Sequence, residues 1–276
     1  MSEGGWSVSM PLIRSSRRSS RRSSRRAIIA SLLAAVLGAV AIVPGLAARN
    51  EILEISHKGV RLIGVPPDPR ADYDVPVIGA RQAVDRIRTA LDQLLEKSAY
   101  SATALKTLKR NGRVVIAYDP GFPFRDAGSS GANLAAFVPH LFSDTPNPSG
   151  RKDFPVIFGR YIVKWKMEEL VLTLAHELPG HGMQHLHGRL ESMSRLDSEC
   201  EAGLYEEMVR QDLGTDKHSR IAVNFRQQLE WRYCVPFKEY MTKHAPAKMA
   251  LWNTLNPDVR RLHAIFEDYL RSINGR

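Results

Sequence analysis

The sequence predicts an α+β domain that follows an N-terminal segment of different composition. Three observations lead to this class: strand and helix patterns are mixed in the first part of the chain, helical patterns alone fill the rest, and no long repeat imposes another architecture. The chain has 276 residues, with 43% hydrophobic and 25% charged, which is the size and composition of a globular protein. We therefore expect residues 49–276 to fold as one domain.

The order of elements follows from local patterns. Runs rich in β-branched residues predict four strands, at 51–56, 60–65, 113–119 and 155–163. Apolar residues at helical spacing predict helices at 80–97, 102–110, from 166 onwards, 196–211, 220–233 and 257–272, the last capped by Asn256. A proline-rich linker at 66–76 and a long loop at 120–154 separate them. The strand at 113–118 is expected either at a sheet edge, where an extended peptide can pair with it, or in the sheet interior.

The first 48 residues differ from the rest in charge and composition. Residues 1–26 hold seven arginines and one acid, Glu3, so they carry +6 of the formal charge of +10. Residues 27–48 are uncharged and long enough to cross a bilayer, and SRRAIIA at 24–30, which overlaps their start, is similar to a twin-arginine export signal. This pattern fits a cleaved signal peptide or an uncleaved membrane anchor, with the domain exported or periplasmic. The remaining charge is diffuse, which argues against a nucleic-acid partner.

Two cysteines occur, Cys200 and Cys234. In an oxidising compartment they can form one disulfide, and two buried free thiols are equally compatible with the sequence. Both states stay open at this point, because the sequence gives no distance between the two sulfur atoms.

The strongest chemical signal is HELPGH, residues 176–181, within a helical pattern. Its order H-E-x-x-x-H is one residue longer than H-E-x-x-H, which places both imidazoles of zinc peptidases on one helix face. Five residues rotate an α-helix by roughly 140°, against roughly 40° for four, so the imidazoles would diverge. Pro179 offers no N–H to the carbonyl of Ala175, and the N–H of Gly180 can replace it. We therefore predict one wide π-helical turn that brings the two histidines together.

If His176 and His181 bind zinc, a third protein ligand and an open position for water are also needed. Glu199 lies eighteen residues after His181 in a second helical pattern. This arrangement resembles that of the gluzincin zinc peptidases, in which a second helix brings one carboxylate to the metal, and the resemblance makes Glu199 the best candidate for that ligand. His187 is the alternative, because it has the spacing of the third histidine of the metzincin pattern, although that pattern lacks its glycine here. Glu177 is then the general base that accepts a proton from the attacking water.

Two segments resemble the dipeptidyl peptidase III family, which belongs to the gluzincin zinc peptidases. HELPGHG at 176–182 is similar to that family's H-E-L-L-G-H-G, and SECEAGLY at 198–205 is similar to its E-E-C-R-A-E followed by G-L-Y. The resemblance covers about thirty residues. It implies a zincin-like metallopeptidase domain, with a small mixed sheet, an active-site helix and a helical C-terminal part. It also implies that His176, His181 and Glu199 bind the metal.

These observations predict an exported zinc metallopeptidase, a hydrolase with Zn2+ as cofactor and a peptide or protein as substrate. The membrane is a further partner if the N-terminal segment stays uncleaved. A non-catalytic zinc-binding envelope protein of the same fold is the alternative. Asp197 and Glu201 are expected either to orient a ligand imidazole or to be solvated acids on a helix face.

Overall fold

The computed structural model describes residues 51–122, 134–142, 144 and 147–274. The basic stretch at 1–26 and the apolar segment at 27–48, predicted as signal peptide or anchor, lie outside these residues. Within the described ranges, no helix combines the length and the apolar character that crossing a membrane requires.

Five strands form one mixed sheet, which together with the helices makes the domain α+β. The strands are Leu53–His57 (β1), Val60–Gly64 (β2), Gly112–Tyr118 (β3), Ala135–Phe137 (β4) and Lys152–Phe158 (β5). Their order across the sheet is β1-β2-β3-β5-β4. β2, β3 and β5 are parallel, and β1 and β4 run antiparallel at the two edges. Lys58 and Gly59 join β1 to β2 with positive φ angles of 49° and 76°, as a tight two-residue hairpin requires.

Two helices, Ala80–Lys97 (α1) and Ala99–Asn111 (α2), pack against this sheet. The apolar stripe of α1 is buried, and Leu91 and Leu94 are among the largest fully buried side chains of the described chain. Ser98 separates the two helices and caps α2, because its side chain accepts a hydrogen bond from the N–H of Ser101. The periodic pattern thus places both helices with their apolar faces on the strands.

The central helical rod runs alongside α1. It consists of Met167–Ala175 (α3), a π-helical turn at His176–His181 and Gly182–Leu186 (α4). The apolar residues of α3 belong to the same hydrophobic core as the sheet, α1 and α2. Because that core holds the rod on one side, the histidines of the π-turn have a fixed position relative to the strands.

The C-terminal part is helical. Its helices are Arg195–Asp212 (α5), Arg220–Gln228 (α6), Val235–His244 (α7) and Val259–Asn274 (α8), with a second π-helical turn at Leu229–Tyr233. α5 contacts both the central rod and α8, and its other side contributes to a second hydrophobic cluster with α7 and α8. A disulfide joins Cys200 of α5 to Cys234 at the start of α7, and both residues are fully buried. Of the two cysteine states that the sequence left open, the disulfide is the observed one.

Most predicted elements are present with shifted ends, and the helix at 80–97 matches α1. The last predicted strand, at 155–163, differs more. β5 ends at Phe158 instead of 163, and a 3-10 turn at Ile162–Lys164 follows it. The helix expected at 220–233 ends in the π-turn. The last helix begins at Val259, where the side chain of Asp258 accepts from the N–H of Arg261, so Asn256 is not its cap.

One strand and one α-helix of the described chain were not predicted, β4 within the expected loop at 120–154 and α7. β3, for which an edge and an interior position were both open, lies inside the sheet between β2 and β5. Its last five residues are buried, as expected for a strand covered on both faces. The edge nearest the central rod is formed by β4 instead.

Candidate metal centre

The central rod widens at the predicted position. Residues His176–His181 form a π-helical turn, and the N–H of Gly182 donates to the carbonyl of Glu177, five residues earlier. Pro179 lies inside the turn and supplies no N–H. The two imidazoles meet edge to face, with ring centroids 4.9 Å apart. The predicted π-turn is confirmed, and it gives two histidines that are five residues apart a common side of the rod.

Gly180 allows α5 to approach this turn closely. A Cβ atom on Gly180 would lie 2.9 Å from Cβ of Ala202 and 3.0 Å from its Cα. Ala202 lies three residues after Glu199, so both residues share the face of α5 that contacts the π-turn. The two small residues therefore set a short distance between the helices, and this distance brings Glu199 to the histidines.

The structure places the three predicted ligands together. Within the described part of the chain, His176, His181 and Glu199 each offer one ligand atom, and these atoms all lie within 4.8 Å of one another. His176 Nε2 is 3.3 Å from Glu199 Oε2. The Glu199 side chain is 28% exposed, so the group is not sealed from solvent. Two imidazole nitrogens and one carboxylate oxygen, with solvent access, match the donor set that catalytic zinc sites use.

The other nitrogen of each imidazole faces a polar partner. His176 Nδ1 lies 3.3 Å from Glu206 Oε2, an ion-pair distance that falls outside hydrogen-bond geometry. His181 Nδ1 lies 2.9 Å from Gln184 Oε1 and 3.3 Å from Ser198 Oγ. Gln184 is fully buried, and its Nε2 donates to the carbonyl of Ser198 at 2.8 Å. Polar atoms therefore face Nδ1 of both rings, and Nε2 is left as the nitrogen for a ligand.

The groups around the two rings shift the pKa values of His176 and His181 in opposite directions. Burial lowers the pKa of His176, but its contacts with Glu199 and Glu206 outweigh burial and raise the pKa well above its usual value. Burial lowers the pKa of His181, and the neighbouring His176 lowers it further. Burial raises the pKa of Glu199, but the contact with His176 more than offsets it and lowers the pKa overall. The pair His176–Glu199 is therefore a coupled acid–base pair, and a metal would compete with the proton for both groups.

Glu177 belongs to the π-turn, and its side chain faces the edge strand β4. Its Oε2 accepts a hydrogen bond from the N–H of Phe137 in β4 at 2.7 Å. The side chain is buried, and its charge acts on both imidazoles, since it raises the pKa of His176 and of His181. The predicted general base is therefore adjacent to the predicted ligands and is held by backbone of the sheet edge.

The alternative ligand and the two predicted orienting acids lie elsewhere. His187 belongs to neither of the two groups in the described chain whose side chains could hold a metal ion. Asp197 Oδ1 accepts from the hydroxyl of Tyr269 at 2.8 Å, and Glu201 Oε1 accepts from Arg189 Nη2 at 2.6 Å. Asp197 and Glu201 therefore do not orient a ligand imidazole, and they are buried, not solvated. They lie on sides of α5 that face α8 and the segment after α4.

A second group, Glu201, His263 and Glu267, also has ligand atoms close together. Arg189 already pairs with both carboxylates in this group, with Nη2 2.6 Å from Glu201 and Nη1 3.4 Å from Glu267. Burial lowers the pKa of His263. The arginine occupies the position that a cation would need, so we interpret this group as a clamp between helices.

Three residues outside the predicted site contact the imidazoles of His176 and His181. Glu206 follows Glu199 by seven residues, which is two helical turns and the same face of α5. Gln184 follows His181 by three residues, which also places it on the same face. Both spacings were visible in the sequence. Ser198 stands where the similar family's motif has its first glutamate, and its contact with His181 depends on the packing of α5 against the rod.

Comparisons of the chain with family models, with curated proteins and with solved structures found no match. The similarity to the dipeptidyl peptidase III family therefore rests on the two short motifs alone. The zincin-like assignment of the fold stays a prediction.

Proposed function

We propose that this chain is a zinc-dependent peptidase of zincin-like fold. The observation that carries the proposal is the convergence of His176, His181 and Glu199 beside Glu177, on a helix that the sheet core holds in place. Each of these four side chains would have a role in zinc-dependent hydrolysis of a peptide bond. The local similarity of the two motifs that hold these residues to dipeptidyl peptidase III supports the same function.

The donor set fits zinc. Zinc binds imidazole nitrogen and carboxylate oxygen, and its catalytic sites use three protein ligands with one position left for water or substrate. His176, His181 and Glu199 would supply those three ligands, with each imidazole bound through Nε2. When bound, zinc lowers the pKa of a coordinated water toward neutrality and polarises a carbonyl oxygen.

Glu177 carries the proton transfers. The N–H of Phe137 holds Oε2, and Oε1 accepts the proton of the water that attacks the scissile carbonyl. The same oxygen then delivers this proton to the departing amine nitrogen, which completes hydrolysis of the peptide bond. Glu177 lies in the same π-turn as His176 and His181, so its carboxylate would act beside the metal that these imidazoles hold.

Among the described residues, no strand pairs with β4 on the side away from β5, and this side, where the N–H of Phe137 already donates to Glu177, offers a place for an extended substrate. The N–H of Val138 donates to the carbonyl of Pro155, and the N–H of Gly159 in the segment after β5 donates to the carbonyl of Leu134. Backbone groups at alternate residues, Ala135 and Phe137, therefore point away from β5. Strand addition on this edge would bring a peptide backbone alongside Glu177.

The N-terminal segment supports a location outside the cytoplasm. The arginine-rich stretch followed by an uncharged apolar segment is typical of a signal peptide or an anchor. The buried disulfide is consistent with an oxidising compartment. We therefore propose that the domain acts as an exported or membrane-anchored peptidase on peptide or protein substrates.

The test compares cleavage of an internally quenched peptide mixture by zinc-loaded wild type, Glu177→Gln and Glu96→Gln. Glu96 is an exposed residue of α1 and serves as the matched control. Glu177→Gln should lower the cleavage rate at least about 100-fold and keep its zinc, because general-base catalysis contributes 10²–10⁴-fold. Equal rates for Glu177→Gln and wild type would refute the mechanism. Zinc binding without any cleavage by wild type would favour the non-catalytic alternative.

A further inference from the structure

We propose that Glu206 and Arg210 are positioning residues for the metal centre, with Arg210 acting through Glu206 on His176. The inference rests on the proposed zinc site. Glu206 uses its two carboxylate oxygens for different partners: Oε2 lies 3.3 Å from His176 Nδ1, and Oε1 accepts from Arg210 Nη2 at 2.9 Å. Its side chain is only 14% exposed. The carboxylate of Glu206 therefore links the guanidinium of Arg210 to the imidazole of His176.

Arg210 is placed one helical turn beyond Glu206, and its side chain is only 2% exposed. A buried arginine is costly unless its charge is paired, and this one lies between two carboxylates. Its Nε is 3.4 Å from Glu207 Oε2, and its guanidinium lies 4.8 Å from the ring centroid of Phe225. These contacts on three sides fix the guanidinium, so the carboxylate of Glu206 has one favoured position.

The ionic chain continues to the outer helices. Glu207 is fully buried, and its Oε1 accepts from Arg226 Nε at 2.6 Å. Arg226 Nη1 donates to the carbonyls of Lys217 and Leu255, at 2.9 Å and 3.1 Å. The paired side chains alternate in charge from Glu206 to Arg226, and Arg226 at the far end is hydrogen-bonded to backbone carbonyls. A chain of this kind gives the centre a rigid support that does not depend on solvent-exposed groups.

His176 is thus contacted from both of its nitrogens by one helix. Glu199 faces Nε2 and Glu206 faces Nδ1, and both project from α5. If the orientation of the ring depends on Glu206, loss of Glu206 or of Arg210 should weaken metal binding without removing any ligand. Partners of this kind typically contribute 10- to 100-fold to metal affinity.

The test measures the zinc dissociation constant of the purified full chain by competition with a chelator. Glu206→Gln and Arg210→Met should each raise this constant about 10- to 100-fold. Arg210→Lys should recover part of the loss, because lysine keeps the charge and loses the planar fork. Arg189→Lys is the matched control, since Arg189 is also a largely buried, doubly paired arginine but contacts Glu201 and Glu267. Its zinc affinity should equal that of wild type.

Cobalt in place of zinc provides the second readout, because its visible spectrum reports ligand geometry. A merely structural role would leave that spectrum unchanged in folded protein, whereas we expect it to change in Glu206→Gln. If Arg210→Met does not fold, Glu206→Gln decides, because Arg210 then keeps Glu207 as its partner. Wild-type affinity and spectrum in Glu206→Gln would overturn this inference alone. Failure of wild type to bind zinc would overturn the proposed function as well.

Discussion

Replacing Gly180 with alanine should push the π-turn and α5 apart at the point where they bring the ligands together. The new Cβ would lie 2.9 Å from Cβ of Ala202 and 3.0 Å from its Cα. Carbon atoms pack at about 3.5–4.0 Å, so the helices would need to separate by roughly 0.5–1 Å. Neither contact is the flexible end of a side chain, so the strain cannot be relieved by a rotamer change. Overpacking of this kind costs about 1–3 kcal/mol.

The gain in helix propensity from Gly180→Ala, about 1 kcal/mol, offsets part of this strain, so the folded state should survive. Metal binding should suffer more, because ligand distances tolerate only about 0.2 Å of error. We expect a zinc dissociation constant at least about tenfold higher than in wild type, measured by chelator competition. Gly79→Ala is the control, since nothing lies within 4 Å of a Cβ at Gly79. Wild-type zinc affinity in Gly180→Ala would refute the argument that this contact sets the ligand distance.

Three further predictions concern other parts of the domain. Replacing Cys200 and Cys234 by serine should lower the free energy of unfolding by about 4 kcal/mol, from the chain entropy of a crosslink spanning 34 residues, and equal urea midpoints for variant and wild type would contradict this. Gln184→Ala removes a partner of His181 Nδ1 and should raise the zinc dissociation constant about tenfold, whereas an unchanged constant would remove Gln184 from the site. Burial raises the pKa of Glu201 to about 7 from its usual 4.5, so the folded chain holds an extra proton between these values, and this carboxyl lowers stability as pH rises through that window. Glu201→Gln should therefore make the free energy of unfolding fall less between about pH 5 and about pH 8 than it does in wild type, and an equal fall in both would contradict the shift.

The elements that are determined by the pattern of their own residues could be predicted from the sequence. The stripe of α1 repeats at helical spacing over 18 residues, and its predicted bounds match the structure. β4 was missed because it has only three residues and forms by pairing with β5, twenty residues later in the chain. α7 was missed because the disulfide and the second hydrophobic cluster position it, and neither can be read from its own sequence.

The candidate site likewise has some features that the sequence predicts and others that depend on the packing of α5. The five-residue spacing and Pro179 predicted the π-turn, because the missing N–H of proline acts locally. The position of Glu199 beside the histidines followed from similarity to a known motif and is present in the structure. Asp197 and Glu201 were assigned to the wrong surroundings, because a helix places residues two apart on different faces, and only the packing of α5 shows which face meets the rod. Glu206, on the same face as Glu199, takes the role expected of them.

The central claim is that His176, His181 and Glu199 bind zinc, and the most direct measurement is the zinc content of the full chain after dialysis. The samples are wild type, His176→Ala and His187→Ala, where His187 is the rejected alternative ligand. We predict about one zinc per chain for wild type and His187→Ala, and none for His176→Ala. Equal zinc in wild type and His176→Ala, or loss of zinc from His187→Ala alone, would contradict the assignment.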